Sequence, residues 1–169
     1  MVCCNSVDDA HAMSSGSSQG ILISGAAGGL GQALVAELAG AGHRVLAGWH
    51  ETPLPALLAG VDAVALDVTC DESCAAAAEA ALARWGRIDA VIHVAGITCD
   101  SLLARARSED WDAVFAVNVD GARRLARATL PILARQGGGH WIGIGSHAGQ
   151  MGSAGQVAYA ASKMSLIHI

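Results

Sequence analysis

GILISGAAGGLG, residues 20–31, is a short apolar run followed at once by a glycine cluster. The apolar run is typical of a buried strand. Leucines then recur on one helical face, which predicts a helix from about Leu30 to Ala41 with Gly42 as its stop. A glycine loop between a strand and a helix is the setting in which backbone N–H groups hold a dinucleotide pyrophosphate. We therefore predict a nucleotide-binding turn here.

The glycines of this turn have separate expected roles. Gly25 permits the tight turn, Gly29 lets the backbone approach the phosphates, and Gly31 lets the helix pack close to the sheet. Glycine patterns arise freely in chains rich in alanine and glycine, so the position between a strand and a helix is what favours the functional interpretation.

Apolar runs and helical segments alternate along the rest of the chain. Further strands are predicted at residues 44–48, 61–68, 88–96 and 140–146, and helices at residues 71–85 and 108–136, before a last helix that carries Tyr159 and Lys163. Pro131 is expected to bend the long helix. The order predicts an α/β fold, a Rossmann-like doubly wound parallel sheet covered on both faces. We predict one domain, residues 20–169, after a flexible leader, residues 1–19.

Composition excludes several classes of partner. The chain of 169 residues carries a net charge of −5 with no basic run, so nucleic acid is not expected. No apolar stretch reaches membrane-spanning length, and the leader does not resemble a signal peptide. Five cysteines without an export signal predict reduced thiols in the cytoplasm. Cys70 and Cys74 lack a second pair at zinc spacing, and we predict no metal site.

The spacing G-x-x-x-G-x-G resembles the cofactor turn of the short-chain dehydrogenase/reductase family, and other motifs of that family follow in order over roughly residues 20–169. These are Asp67-Val68 at the end of the third strand, HVAG at residues 93–96, Asn118 in the long helix, Ser146 at the end of the fifth strand, and Tyr159-x-x-x-Lys163. The resemblance implies a catalytic set of Asn118, Ser146, Tyr159 and Lys163. It implies cofactor contacts from Gly25, Gly28, Gly29, Leu30, Gly31, Trp49, His50, Asp67, Val68, Ala95, Gly96, Tyr159 and Lys163.

Tyr159 and Lys163 are the only tyrosine and the only lysine of the chain. Residues four apart share a helical face, and a nearby cation lowers the pKa of a phenol, which is ordinarily near 10. Tyr159 is therefore expected to donate a proton to a carbonyl oxygen as hydride reaches the carbon. Ser146, at a strand end, would hold that oxygen. An isolated Tyr-x-x-x-Lys usually serves packing and solubility, and a serine at a strand end is ordinarily a turn residue.

Other roles follow from the resemblance alone. Asn118 would position a water behind Lys163, and Lys163 would bond the nicotinamide ribose. His93 and Val94 replace asparagines that support the cofactor pocket in the family, and His147 is expected to be a loop or surface residue.

The expected cofactor is NADP, with NAD as the alternative. Members of the family that prefer NAD usually carry an acidic residue after the second strand, where this chain has Trp49 and His50, although Glu51 is close. Gly28 stands where many NADP-using relatives have a basic residue.

Within the family, residues 96–122 and 144–163 most resemble bacterial 3-oxoacyl-[acyl-carrier-protein] reductases, with acetoacetyl-CoA reductases close behind. The implied substrate is a small-molecule or carrier-bound 3-oxoacyl thioester, and a homo-oligomer is implied for a full-length form. Relatives continue beyond the last helix, so we expect a sheet that is incomplete at the C-terminus, with an unpaired edge. The alternatives are a dehydrogenase of another alcohol or ketone, or an inactive fragment with at most nucleotide binding.

Overall fold

A computed structural model of the chain describes residues 2–6, 18–54 and 58–167. The strands are β1 Val2–Ser6, β2 Gly20–Ser24, β3 Arg44–Trp49, β4 Val61–Ala65, β5 Ala90–His93 and β6 His140–Ile144. The helices are α1 Gly29–Gly40, α2 Asp71–Trp85, α3 Ser108–Phe115, α4 Gly121–Arg135, α5 His147–Met151 and α6 Val157–Ser165. The sheet order is β1-β6-β5-β2-β3-β4, and β2 to β6 all run parallel. The predicted doubly wound α/β fold is confirmed.

The central strand β2 shows why the sheet is covered on both faces. All five of its residues are buried, and consecutive side chains point to opposite faces. Leu22 packs into one apolar cluster with Leu46 and Leu125, while Ile23 packs into another with Val35. Continuous apolar runs are therefore required here, because neither face of the strand meets water.

The helix α2 has the bounds that the sequence predicts. Asp71 opens its first turn, where a negative charge suits the helix dipole. Gly86 ends it with a left-handed φ of 73°, and its N–H bonds the Leu82 carbonyl. Small buried residues such as Ala77 let this helix pack close to its neighbours.

The predicted long helix, residues 108–136, is in fact two α-helices. A π-helical turn, Ala116–Asp120, joins α3 to α4 and buries Asn118 completely. Such turns are frequent at functional sites. Pro131 lies inside α4.

Three predicted strands, residues 61–68, 88–96 and 140–146, are shorter in the structure, and after two of them, β4 and β5, a side chain accepts a hydrogen bond from a backbone N–H that was predicted to belong to the strand. The Asp67 N–H donates to Ser73 Oγ at 2.9 Å, after β4 has ended. The Ala95 N–H donates to Ser24 Oγ at 3.4 Å, after β5 has ended. The interval before the last helix, predicted as a loop, contains α5.

The N-terminal strand β1 differs most from the prediction. It pairs antiparallel with β6, with Val2 opposite Ile144 and Ser6 opposite His140. These five residues thus form a strand within the segment predicted as a flexible leader, and they pair with the edge of β6 that was expected to be unpaired. An edge strand presents a row of unpaired N–H and C=O groups, and an extended segment can satisfy them. The rest of the predicted leader, except residues 18 and 19, lies outside the described residues. Among the described helices, none has the length and apolar character to cross a membrane.

Candidate active site

A cleft of about 560 Å³ opens at the carboxyl ends of the parallel strands, where ligands bind in doubly wound sheets. Its walls include all thirteen residues that the sequence predicts for the cofactor: Gly25, Gly28, Gly29, Leu30, Gly31, Trp49, His50, Asp67, Val68, Ala95, Gly96, Tyr159 and Lys163. The sheet order explains this convergence. The glycine turn follows β2, and the segments around Trp49 and Ala95 follow its two neighbours, β3 and β5.

The glycine turn leaves room for an anion at the start of α1. Gly25 has φ of 70°, and a Cβ there would lie 2.6 Å from the Ala95 nitrogen. A Cβ on Gly31 would overlap the Gly25 carbonyl, whereas one on Gly29 would meet no described atom within 4 Å. The cap residue Gly28 provides no side-chain hydrogen bond, and the first turn of α1 contains no acidic residue. The first N–H groups of this helix therefore suit a phosphate.

The cleft wall also presents polar groups around Asp67. Its Oδ1 accepts hydrogen bonds from the Thr69 N–H at 2.8 Å and the Thr69 hydroxyl at 2.7 Å. Burial raises the pKa of Asp67, but these bonds and the charges of His50 and Arg124 outweigh it and hold the pKa below its ordinary value. Asp67 is thus an ionised carboxylate with one oxygen already bonded within the chain.

Lys163 is a buried residue of the cleft wall. Its Nζ donates to the Ile144 carbonyl at 2.9 Å and lies 5.9 Å from the centre of the Tyr159 ring. A Cβ on Gly96 would lie 3.2 Å from Nζ, so only a glycine leaves this much space beside the ammonium. Burial lowers the pKa of Lys163. The structure therefore places the cation one helical turn from Tyr159, as the spacing predicts.

Asn118 uses its side chain to join two segments. Its Oδ1 accepts from the Ile97 N–H at 2.8 Å, and its Nδ2 donates to the Ile97 carbonyl at 3.0 Å. The same Nδ2 donates to Ser162 Oγ at 2.9 Å. The amide of Asn118 is therefore committed to bonds within the chain. Sequence reasoning missed Ser162, although a small polar residue directly before Lys163 in a buried helix was the available signal.

Ser146 caps the short helix α5. Its Oγ accepts from the Ala148 N–H at 3.2 Å, and the preceding residue, Gly145, lines the cleft. Its hydroxyl hydrogen is not used in that bond. His147 is exposed on the first turn of α5, where a surface residue was expected.

His93 lies beneath the glycine turn and not in the cleft wall. Its Nδ1 is 2.9 Å from Ser24 Oγ, and its ring stacks on Trp141 at 6.0 Å. Ser24 Oγ in turn accepts a hydrogen bond from the Ala95 N–H. Burial, and then the charge of Lys163, lower the pKa of His93 to about 3. The histidine is therefore a neutral support that links the ends of β2 and β5.

We expect the free energy of unfolding of His93→Asn to fall less steeply with decreasing pH than that of the unmodified protein. The pKa of His93 is about 3 in the folded chain against an ordinary 6.5, so between these values the unfolded chain binds a proton that the folded chain does not. The free energy of unfolding then falls by about 1.4 kcal/mol for each unit of decreasing pH in that window. Urea unfolding of both proteins from pH 7 to pH 4.5 measures the difference.

His147→Asn is the control, because this histidine is exposed. The curve of the control against pH should run parallel to that of the unmodified protein. If the curve of the free energy of unfolding against pH for His93→Asn also runs parallel to that of the unmodified protein, His93 is not the buried, neutral side chain described above.

A doubly wound parallel sheet with a glycine turn at the central strand defines the class of dinucleotide-binding α/β proteins. The family model for the short chain dehydrogenases matches residues 19–169, and the chain belongs to this family. The predicted family resemblance is confirmed.

Relatives and a solved structure agree with this assignment. The chain is 36% identical over 154 residues to the 3-oxoacyl-[acyl-carrier-protein] reductase FabG of Thermotoga maritima, and 39% identical over 153 residues to that of Pseudomonas aeruginosa. These matches cover 86% of this chain and 63% and 62% of the relatives. A short-chain dehydrogenase from Streptomyces avermitilis superposes with a TM-score of 0.81 at 32% identity, over 89% of this chain and 57% of that one. The chain thus spans about three-fifths of the length of these proteins.

Proposed function

We propose that this protein is an NADP(H)-dependent reductase that converts a 3-oxoacyl thioester into the 3-hydroxyacyl product. One observation carries the proposal: the buried ammonium of Lys163 lies beside Tyr159 in a cleft that the glycine turn also lines. Such an arrangement suits proton donation to a substrate bound at the end of a dinucleotide site.

The residues present fit a nicotinamide dinucleotide. The open N-terminus of α1 suits the pyrophosphate, and the volume of the cleft is in the range of cofactor sites. When bound, the nicotinamide would supply the hydride that the carbonyl carbon accepts. Tyr159 gives its hydroxyl proton to the carbonyl oxygen, so hydride and proton together complete the alcohol. Lys163 stabilises the phenolate that remains, and the hydroxyl of Ser146 donates a hydrogen bond to the substrate oxygen.

The likeness to named reductases supports the substrate class. The relatives from Thermotoga maritima, Escherichia coli and Pseudomonas aeruginosa are named 3-oxoacyl-[acyl-carrier-protein] reductases and share 34–39% identity with this chain. Loss of NADPH absorbance at 340 nm with acetoacetyl-CoA, a 3-oxoacyl carrier-protein thioester and a panel of simple ketones tests the assignment. Faster turnover of a ketone without a thioester would overturn the substrate class and leave the reductase.

The end of β3 supports NADP over NAD. Trp49 and His50 line the cleft at the position where a carboxylate would bind the ribose hydroxyls. Glu51, the next residue, also lines the cleft, and it is exposed with φ of 55°. We expect Trp49→Asp to shift preference toward NADH by about tenfold or more, because a carboxylate repels a 2′-phosphate and accepts ribose hydroxyls. Calorimetric titration with NADPH and NADH gives the ratio of the two Kd values. An unchanged ratio would place the ribose elsewhere.

A further inference from the structure

Ser162 is a completely buried polar residue on α6, between Tyr159 and Lys163. Buried hydroxyls need partners, and Ser162 has two. Its Oγ donates to the Tyr159 carbonyl at 2.7 Å and accepts from Asn118 Nδ2 at 2.9 Å. The Ser162 hydroxyl therefore donates one hydrogen bond and accepts another.

The second partner connects α6 to the rest of the site. Asn118 lies on the π-helical turn and holds both backbone groups of Ile97, a residue of the cleft wall. Through Ser162, the same amide reaches the helix of Tyr159 and Lys163. Three segments that meet at the cleft are therefore joined at one buried amide.

We propose that Ser162 is a positioning residue of the active site, and that it fixes the rotation of α6 by joining the Asn118 amide to this helix. The proposal rests on the function proposed above, since Tyr159 and Lys163 are the groups it positions. Lys163 is bonded at its far end to the Ile144 carbonyl. The bond from Asn118 acts at the helix itself and sets the direction in which both side chains enter the cleft.

Comparison with Ser165 separates this role from ordinary helix packing. Ser165 lies on the same helix and its Oγ donates to the Ala161 carbonyl at 3.0 Å, a bond within one helix. Ser165→Ala is therefore the control for Ser162→Ala. Ser162→Cys retains nearly the original volume but replaces a strong hydrogen-bonding group with a weak one.

The experiment has two readouts. Lys163 is the only lysine, so labelling with ¹³Cε-lysine gives a single resonance whose titration reports the surroundings of this ammonium. The kcat with a 3-oxoacyl thioester and the Kd for NADPH are measured on the same samples. We expect both Ser162 variants to move the titration of Lys163 toward that of an exposed lysine. We also expect kcat to fall by about tenfold or more, because small displacements of reacting groups are costly, with the Kd for NADPH within about twofold.

Three results overturn the proposal. The first is a folded Ser162→Ala whose lysine titration and kcat match the unmodified protein. The second is a Ser162→Cys that behaves as the unmodified protein, since packing would then explain the effect of alanine. The third is a Ser165→Ala that reproduces the effects of Ser162→Ala. Absence of turnover in the unmodified chain would count against the proposed function, and the lysine titration would still decide the role of Ser162.

Discussion

Tyr159→Phe should lower kcat for carbonyl reduction by about 10²- to 10⁴-fold, the usual contribution of a positioned proton donor. Phenylalanine keeps the ring that lies 5.9 Å from Lys163 Nζ and removes only the hydroxyl. Packing of α6 and the walls of the cleft are therefore retained. The Kd for NADPH should stay within about threefold, because the loss falls on the transition state and not on cofactor binding. Steady-state assays at 340 nm and calorimetric titration of NADPH measure the two quantities.

Phe115→Tyr is a control for changes of a single aromatic hydroxyl. Phe115 ends α3 and stacks on Trp111, and it does not line the cleft. The rate should stay near that of the unmodified protein. A Tyr159→Phe variant that retains its rate would show that another group supplies the proton.

Gly31→Ala should abolish binding of the dinucleotide and destabilise the fold. The added Cβ would overlap the Gly25 carbonyl and lie 2.7 Å from the Ala26 Cα, and backbone atoms cannot turn aside as a flexible side chain can. The helix α1 has to move away from β2, which removes its N-terminal N–H groups from the phosphate position. Overpacking of this kind costs on the order of 3 kcal/mol. Thermal unfolding and calorimetric titration of NADPH measure both losses.

Gly40→Ala provides a matched control in the same helix. Gly40 is the last residue of α1, and a Cβ there would meet no described atom within 4 Å. Its Tm should equal or slightly exceed that of the unmodified protein, because alanine favours the helix. The close packing at Gly31 would be refuted by a Gly31→Ala variant with unchanged Tm and unchanged NADPH binding.

Local sequence features were sufficient for the cofactor cleft. An apolar run such as β2 cannot face water on either side, and an ordinary helix start does not need the cluster of glycines that follows it. Order along the chain then places Trp49, Asp67 and Gly96 at neighbouring strand ends, because a doubly wound sheet brings these ends to one edge. The thirteen residues predicted for the cofactor accordingly lie in the wall of one cleft, and their contacts with a cofactor stay a prediction.

Features that depend on distant partners were not predicted. The strand β1 forms by pairing with the edge of β6, and a segment of five residues is too short for a periodic pattern that would predict this pairing. The π-helical turn at Asn118 is supported by bonds to Ile97 and Ser162, which lie 21 and 44 residues away. Sequence patterns reflect residues that are close along the chain. A π-helical turn that is stabilised by remote residues therefore has the same pattern as a continuous helix.

We propose that one dinucleotide spans the cleft, with its nicotinamide end beside Tyr159. Tyr159 is the only tyrosine, so ¹³Cζ-tyrosine labelling gives a single resonance at that end. Titration with NADP⁺ should shift this resonance in a saturable manner. Adenosine 2′,5′-bisphosphate, which carries only the adenine half, should bind without shifting it. No saturable shift with NADP⁺ or NAD⁺, or an equal shift with the adenine half alone, would contradict the account.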